Sequence, residues 1–265
     1  MFFDHIDWSR AWYASVLPLA SGVTAAADWR SHVNATAGAL HILNHRQQAL
    51  GFVAQQELPE GRAYESFISE TGKVPTRENL HDFFNALVWL SFPLIKIRLN
   101  ALQAAQIASL GIGKSRGAAR DAATIFDENA ALLVVQEGEP GERLIAALRN
   151  HQWRLAFVEQ RALFGTQCEV WSFGHALMEK LVQPYKAITA HAWVVRVGAD
   201  YFELDADARR AWLDRQVAQQ LATHALSTAD YTPLPVLGVP GWWPQQDEDF
   251  YADTQVFRCK RPARA

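Results

Sequence analysis

The side chains best suited to chemistry begin in one short stretch, residues 77–96, where polar groups interrupt a strongly hydrophobic segment. Arg77, His81, Asp82 and Asn85 lie there among Phe, Leu, Val, Trp and Ile residues. Helical spacing would place His81 and Asn85 on one face, with Asp82 beside Asn85. A buried polar group without a partner costs about 1–3 kcal/mol. These groups must therefore satisfy one another or bind a metal ion or a substrate.

Three further segments combine ionisable residues with apolar or glycine-containing surroundings. They are Arg120-Asp121 followed by Asp127-Glu128-Asn129, the run Gly174 to Lys180, and Thr189-Ala190-His191. Within the second of these, His175 and Glu179 would share a helical face. His191 would stand in an otherwise apolar strand.

Histidines and carboxylates together favour two kinds of chemistry. They can bind a divalent transition metal that activates water, or they can form an acid–base pair in which the carboxylate fixes the histidine tautomer. The predicted catalytic residues are His81, Asp82, His175 and Asp121. The predicted metal ligands are His81, Asp82, His175, Glu179 and His191. The predicted substrate-binding residues are Arg77, Asn85 and Arg120, since arginine binds anions through forked hydrogen bonds.

Each segment also has a purely structural interpretation. Asn79 could cap the helix, and Asp82 at its third position would then favour the positive helix end. The 127–129 run is typical of a turn, and the 174–180 run could carry a plain surface pair. His191 could be a core histidine bonded to a carbonyl. The sequence leaves these alternatives open.

Two familiar catalytic motifs fail on single residues. Gly113-Lys114-Ser115 belongs to a basic loop, but a phosphate-binding P-loop needs Gly where Ala108 stands. Ser172 lacks the Gly that a nucleophile elbow requires at Val170. Anion contact by the basic loop, through Lys114, Arg116 and Arg120, stays open beside a solvated basic turn.

Hydrophobic periodicity predicts helices and strands without regular βαβ order. The predicted helices cover 31–48, 79–91, the segment from Pro93 to about 110, 141–163, 174–182 and 205–223. His41 and His45 have helical ligand spacing in the first of these, but Ile42 excludes a zincin motif, so they are interpreted as surface histidines. The predicted strands cover 50–55, 63–69, 124–126, 131–136, 169–173 and 188–197, with 127–130 as a hairpin turn.

The predicted fold class is α+β, a helix-rich single domain of residues 1–265. Five prolines and two glycines after Tyr231 predict an irregular tail at 231–265 that wraps the surface. Its Gly-Trp-Trp-Pro run at 241–244 is interpreted as a strap that holds the tail on the core, in preference to a pocket wall.

Composition indicates an ordinary globular protein, with 49% hydrophobic and 20% charged residues. A net charge of −3 argues against general attraction to nucleic acid or anionic membrane. Cys168 and Cys259 are far apart and form no metal-binding pair. No apolar run reaches the roughly 18 residues of a membrane span. We therefore expect a cytoplasmic protein whose partner is a small-molecule substrate or ligand.

Four runs are distinctive when read together: Val74 to Leu87, Arg120-Asp121 with Phe126 to Asn129, Phe173 to Leu177, and Leu237 to Pro244. Together they resemble an uncharacterised bacterial family, domain of unknown function 3025, over roughly residues 63–257. Ala130 departs from the resemblance, because a Gly is expected at that turn. The resemblance implies a bacterial cytosolic protein and transfers no activity.

The leading hypothesis from the sequence is a hydrolase-like enzyme for a small polar or phosphorylated metabolite, with a His–carboxylate site that could hold a metal. The alternative is a non-catalytic ligand-binding or interaction module in which the same polar residues form a buried structural network. A third interpretation, RNA binding through Lys114, Arg116, Arg120 and the basic run at 258–261, lacks any recognised RNA-binding motif.

Overall fold

The strands form two sheets in the structure, a computed structural model that describes residues 1–110 and 118–260. In chain order they are β1 (Gly51–Ala54), β2 (Lys73–Thr76), β3 (Ala130–Gln136), β4 (Cys168–Ser172), β5 (Thr189–Val197) and β6 (Thr232–Pro235). β1 and β2 pair in parallel, and the larger sheet has the order β4-β3-β5-β6. β3 is antiparallel to β4 and parallel to β5. The end of β4 therefore lies beside the start of β3.

Helices surround these sheets and make up most of the regular structure. In chain order they are α1 (Leu17–Ala25), α2 (Trp29–Ala39), α3 (Tyr64–Thr71), α4 (Leu80–Ser91), α5 (Pro93–Leu110), α6 (Ala118–Asn129), α7 (Glu139–Arg149), α8 (His175–Lys180), α9 (Ala206–Thr223) and α10 (Glu248–Ala252). The predicted α+β class is confirmed. Across residues 1–110 and 118–260, no helix combines the length and the apolar character that crossing a membrane would require.

Aromatic packing and a side-chain cap fix the position of α4. Phe83 stacks on Phe3 with ring centroids 4.7 Å apart, and Phe84 stacks on Tyr13 at 5.5 Å. The backbone amide of Asp82 donates to Oδ1 of Asn79, with nitrogen and oxygen 2.8 Å apart, as the capping interpretation predicts. The start of this helix is therefore well defined, and so is any residue in its first turn.

Two predicted strands are helices instead. Residues 64–69 fall in α3, which residue 63 caps. Residues 124–130 are not a strand and hairpin turn but the end of α6 running directly into β3. Ala122, Ala123 and Phe126 are buried at helical spacing, and this period outweighs the strand propensity of the Thr-Ile-Phe run. The correction matters because Asp127 and Glu128 then lie on a helix.

The predicted helix over 31–48 is too long. α2 ends at Ala39, and His41 follows in a turn with φ of 51°. His41 and His45 therefore do not share a helical face. The apolar stripe of Val33 and Ala37 is buried, but Leu40 is 51% exposed, so the stripe does not continue past the helix end.

The tail after Tyr231 contains short regular elements that proline content argued against. β6 pairs with β5 at the edge of the sheet, where proline is tolerated because no ladder donor is lost. α10 follows near the end of the described chain. Trp242 packs against Trp12 with ring centroids 6.3 Å apart. The basic loop at 111–117 lies outside the described residues.

Gly174 allows the chain leaving β4 to approach the end of α6 very closely. The backbone amides of Phe173 and Gly174 both donate to the carbonyl of Ala130, at 3.1 and 2.8 Å. A Cβ atom on Gly174 would overlap the backbone of Glu128 and Asn129. Glycine is required here because the obstacle is backbone, which cannot rotate aside.

Replacing Gly174 with Ala should lower the free energy of unfolding by about 1–3 kcal/mol, because the overlap forces the two backbones apart. Chemical denaturation measures the change. Gly38→Ala is the matched control, since a Cβ there meets nothing within 4 Å. In helix α2 the control should be stabilising by up to about 1 kcal/mol. Equal stabilities of the two variants would contradict the predicted close approach.

Candidate functional site

Two histidines and a glutamate bring their side-chain tips together at one end of the larger sheet. The Nε2 atoms of His81 and His175 are 3.1 Å apart. An Oε2 atom of Glu128 lies 3.4 Å from Nε2 of His175 and 4.0 Å from Nε2 of His81. His175 is buried, and the other two side chains are partly exposed. This triangle of His81, Glu128 and His175 is called the His–Glu cluster below.

Chain topology explains why residues so distant in sequence meet. His81 is in the first turn of α4, Glu128 is in the last turn of α6, and His175 is the first residue of α8. α6 leads directly into β3, while α8 follows directly after β4. Because β3 and β4 are antiparallel neighbours, the end of α6 and the start of α8 arrive at the same point.

Carboxylates also approach the remaining ring nitrogens. Nδ1 of His81 is 3.0 Å from a carboxylate oxygen of Glu179, which orients the ring. Nδ1 of His175 is 4.0 Å from an oxygen of Asp127. This Nδ1 is buried and has no hydrogen-bond partner among the described residues.

The two facing Nε2 atoms limit where protons can be. If Nδ1 of His81 donates to Glu179, its Nε2 is a bare acceptor in the neutral ring. Nε2 of His175 can then donate to it, but Nδ1 of His175 becomes a buried bare acceptor. A cation between the rings would be bound by both Nε2 atoms, so neither would need a proton. The proton of His175 would then sit on Nδ1, on the side of the ring where the Asp127 carboxylate lies 4.0 Å away.

The size of the triangle fits a transition metal. The three ligand atoms are 3.1, 3.4 and 4.0 Å apart, so a point equidistant from them lies about 2.1 Å from each, which matches zinc–nitrogen and zinc–oxygen bonds. Three protein ligands leave a position for water or substrate. The donor set of two imidazoles and one carboxylate also suits other divalent first-row metals.

A buried lysine supports the cluster from behind. Nζ of Lys96 makes an ion pair with Asp127 and donates to Oδ1 of Asn85 at 2.8 Å. Its ammonium also lies 5.2 Å from the ring centroid of Trp89. Lys96 is 3% exposed, so this pair is well shielded from water. It fixes Asp127 and therefore the neighbouring Glu128.

Local charges set the protonation of the site. Burial lowers the pKa of His175 to about 3, although the Asp127 carboxylate acts in the opposite direction. His175 is therefore neutral at neutral pH, the form that binds metals. Burial would raise the pKa of Asp127, but charges led by Lys96 outweigh it and lower that pKa. The pKa of Glu128 is raised by burial and by the charge of Asp127.

The cluster opens into a cavity of about 290 Å³. Polar side chains dominate its wall, including Tyr64, Glu65, Arg77 and Asn85. Burial, with the charge of Asp127, raises the pKa of Glu65 to about 7. The cavity is large enough for a small molecule and is lined by more carboxylates than cations.

The structure brings together some of the predicted site residues. His81, His175 and Glu179 lie in or against the cluster, and Asn85 and Arg77 line the cavity. Asp82 also lines it, but its carboxylate accepts from the backbone and guanidinium of Arg77 at 2.6, 2.9 and 3.1 Å. The two residues are therefore engaged with each other, and the Asp82 oxygens are not among the converging ligand atoms.

Three predicted residues lie elsewhere. Asp121 is exposed in the first turn of α6. Arg120, two turns before Asp127, is not part of the cavity wall. His191 pairs with Ala130 and Pro233 in the sheet and packs near the ring of Tyr231 at 5.7 Å, outside the cluster. Side chains meet at the cluster only where the end of α6 lies beside the start of α8. The pairing of β3 with β4 decides that position, and the three residues lie away from it.

Glu128 and Lys96 were missed as site residues. The Asp-Glu-Asn run predicts a turn at Glu128, whereas the helical spacing of the apolar residues Ala122, Ala123 and Phe126 before it indicates a helix end. Lys96 belongs to a buried polar stripe with Asn100 and Gln103 at helical spacing. A lysine on such a stripe within an apolar helix is the signal that could have identified it.

A family model described as "Protein of unknown function (DUF3025)" matches residues 50–261, which confirms the resemblance seen in the sequence. No curated protein and no solved structure matches the chain.

Replacing Lys96 with Met should lower the free energy of unfolding by about 3–5 kcal/mol, because Asp127 loses its cation while buried. Urea titrations of chelator-treated protein measure this free energy without any contribution from bound metal. Lys180→Met is the control, since its ammonium bonds to Asn129 at an exposed position, and it should cost less than about 1 kcal/mol. Similar losses in both variants would contradict the role of the buried pair.

Glu65→Gln should change how stability depends on pH. The pKa of Glu65 is raised from 4.5 to about 7 on folding, so the folded state retains a proton that the unfolded state has lost. Its contribution to stability is complete below pH 4.5 and is lost as pH rises through about 7. Relative to the variant, the wild type should lose stability across this window in denaturant titrations. If the stability of wild type and variant changed with pH in the same way, Glu65 would not be protonated in the native protein.

Proposed function

The chain belongs to the DUF3025 family of proteins of unknown function, and we propose that it is a metal-dependent hydrolase acting on a small polar compound. The observation that carries the proposal is the His–Glu cluster in the wall of a polar cavity. Its ligand atoms have the separations of a three-ligand site with one open position. A bound divalent metal would supply Lewis acidity and lower the pKa of bound water.

The protein residues have distinct roles in this proposal. His81, His175 and Glu128 would hold the metal. Glu179 fixes the ring orientation and tautomer of His81. Asp127, held by Lys96, places a negative charge behind His175 and Glu128.

The cavity favours an uncharged polar substrate over a phosphorylated one. Lys96 and Arg77 are cations in or beside its wall, and each is already paired, with Asp127 and Asp82 respectively. A phosphate group needs several free donors or cations. A volume of about 290 Å³ limits the substrate to a small molecule or to the end of a larger one.

One observation supports a non-catalytic alternative. The Lys96 and Arg77 pairs satisfy many of the polar groups that the sequence singled out. Without a metal, this network would fix the packing, and the cavity would serve as a ligand-binding site.

A cytoplasmic location is part of the proposal and rests on the cysteines. Cys168 and Cys259 are both free. Free thiols are typical of a reducing compartment.

The metal proposal predicts about one zinc per chain, measured by elemental mass spectrometry and by calorimetric titration of chelator-treated protein. His81→Ala and His175→Ala should each weaken zinc binding by more than about 100-fold, since each removes one of three protein ligands. Glu179→Gln should weaken it by about 10–100-fold, since it disturbs the orientation of His81. His191→Ala is the matched control and should bind zinc normally.

The same preparations test hydrolysis. A panel of small chromogenic esters and amides should include one that only metal-loaded protein cleaves, with phosphate esters as a comparison set that should be cleaved less. His175→Ala should abolish that cleavage while Asp121→Asn leaves it intact. Failure of zinc, manganese and iron to bind would contradict the proposed function and favour the ligand-binding alternative.

A further inference from the structure

A directed chain of hydrogen bonds leads from the buried lysine to the cavity wall. An ammonium can only donate, so the 2.8 Å contact between Nζ of Lys96 and Asn85 identifies the amide oxygen of Asn85. The amide nitrogen of Asn85 then faces Tyr64 and donates to its hydroxyl oxygen at 3.1 Å. Both contacts agree on one orientation of the amide.

This chain determines what Tyr64 can do with its own proton. The hydroxyl oxygen already accepts from Asn85, so the remaining role of the group is to donate. No residue in the described ranges accepts a hydrogen bond from it. Tyr64 lines the same cavity as His81, Glu128 and His175. Its O–H is therefore available to a molecule in that cavity.

The surroundings make Tyr64 a donor and not a base. Burial, reinforced by the charge of Glu65, raises the pKa of Tyr64 well above its ordinary value. The phenol thus retains its proton at neutral pH. The positive charge of Lys96 and the aligned amide of Asn85 polarise the group in one direction, which strengthens a hydrogen bond donated by the last member.

We infer that Tyr64 is a catalytic residue that donates a hydrogen bond to a carbonyl oxygen of the substrate, in the cavity that the His–Glu cluster also lines. This inference rests on the proposed function and names its substrate class as small carboxylic amides or esters. A single neutral donor suits one carbonyl oxygen, whereas a phosphate would need more donors than the cavity leaves free. The hydrogen bond strengthens as negative charge develops on that oxygen, and no proton is transferred from Tyr64.

Asn85 is a positioning residue in this scheme. It does not need to touch the substrate, because it orients the phenol by occupying its acceptor site. Asn85→Asp is nearly isosteric but replaces the donating amide with an oxygen. That oxygen would accept the proton of Tyr64 and turn the O–H away from the cavity.

The test uses acetohydroxamate, a small carbonyl compound that also binds zinc, as the probe on zinc-loaded protein. Calorimetry should show that Tyr64→Phe weakens probe binding by about 10- to 100-fold, as expected for loss of a hydrogen bond to a charged ligand. Asn85→Asp is compared with the wild type using the neutral probe acetamide, because the added carboxylate would repel a charged one. It should weaken acetamide binding even though the phenol is still present, an outcome that a merely structural role of Tyr64 does not predict. Tyr185→Phe, at a position 55% exposed, is the control and should bind like the wild type.

Zinc content is measured on every sample, so that failure of the metal site and failure of the Tyr64 role can be told apart. Full zinc occupancy with no probe binding, or with equal affinities of wild type and Tyr64→Phe, would overturn the inference and leave the metal site intact. If no zinc binds, the NMR signal of ¹³Cζ-labelled Tyr64 decides in the metal-free protein. Acetamide should shift that signal in the wild type but not in Asn85→Asp, and an unshifted wild-type signal would overturn the inference.

Discussion

The buried ammonium of Lys96 is the interaction on which the rest of the site depends. It pairs with Asp127 of α6 and bonds to Asn85 of α4, and through Asn85 it reaches Tyr64 of α3. Lys96 itself is on α5, so one charge connects four helices. A buried cation that lost these partners would cost several kcal/mol. The helices are therefore held in the one arrangement that satisfies it.

The depth of Lys96 is in turn set by the start of its helix. Asp214 of α9 accepts the backbone amides of Leu94 and Ile95, at 3.0 and 2.9 Å, which caps the first turn of α5 from a distant part of the chain. Burial raises the pKa of Asp214 to about 6. With α5 anchored, Asp127 is fixed, and the next residue in the chain, Glu128, faces the two histidines. The candidate ligands are on α4, α6 and α8, and these contacts between helices explain how they keep their positions although none of them is on a loop.

The sequence located part of this site for a sound physical reason. His81, Asn85 and His175 were recognisable because polar residues in apolar helical segments need partners. The cap by Asn79 and the break at Pro93 followed from local rules and are confirmed. Local patterns are reliable where a single helix decides the outcome.

The sequence does not show that these side chains meet in space, because their meeting depends on the pairing of strands that are far apart in the chain. Nothing local indicates that the end of β4 lies beside the start of β3, which is what brings His175 to Glu128. The same gap led to His191 being grouped with the other histidines, although its strand position places it outside the cluster. The Asp-Glu-Asn composition at the end of α6 is typical of a turn, so Glu128 is noted in a candidate segment but is not among the predicted site residues. The helical spacing of Ala122, Ala123 and Asp127 is easily overlooked because the β-branched pair Thr124-Ile125 lies between them.

Anomalous diffraction from zinc-soaked crystals of the protein, measured at wavelengths on both sides of the zinc absorption edge, would test the central claim most directly. The account predicts one strong anomalous peak about 2 Å from Nε2 of His81, Nε2 of His175 and a carboxylate oxygen of Glu128. No peak at the cluster, with the two rings still facing each other, would contradict it. The cluster would then be a hydrogen-bonded relay between Glu179 and the two histidines.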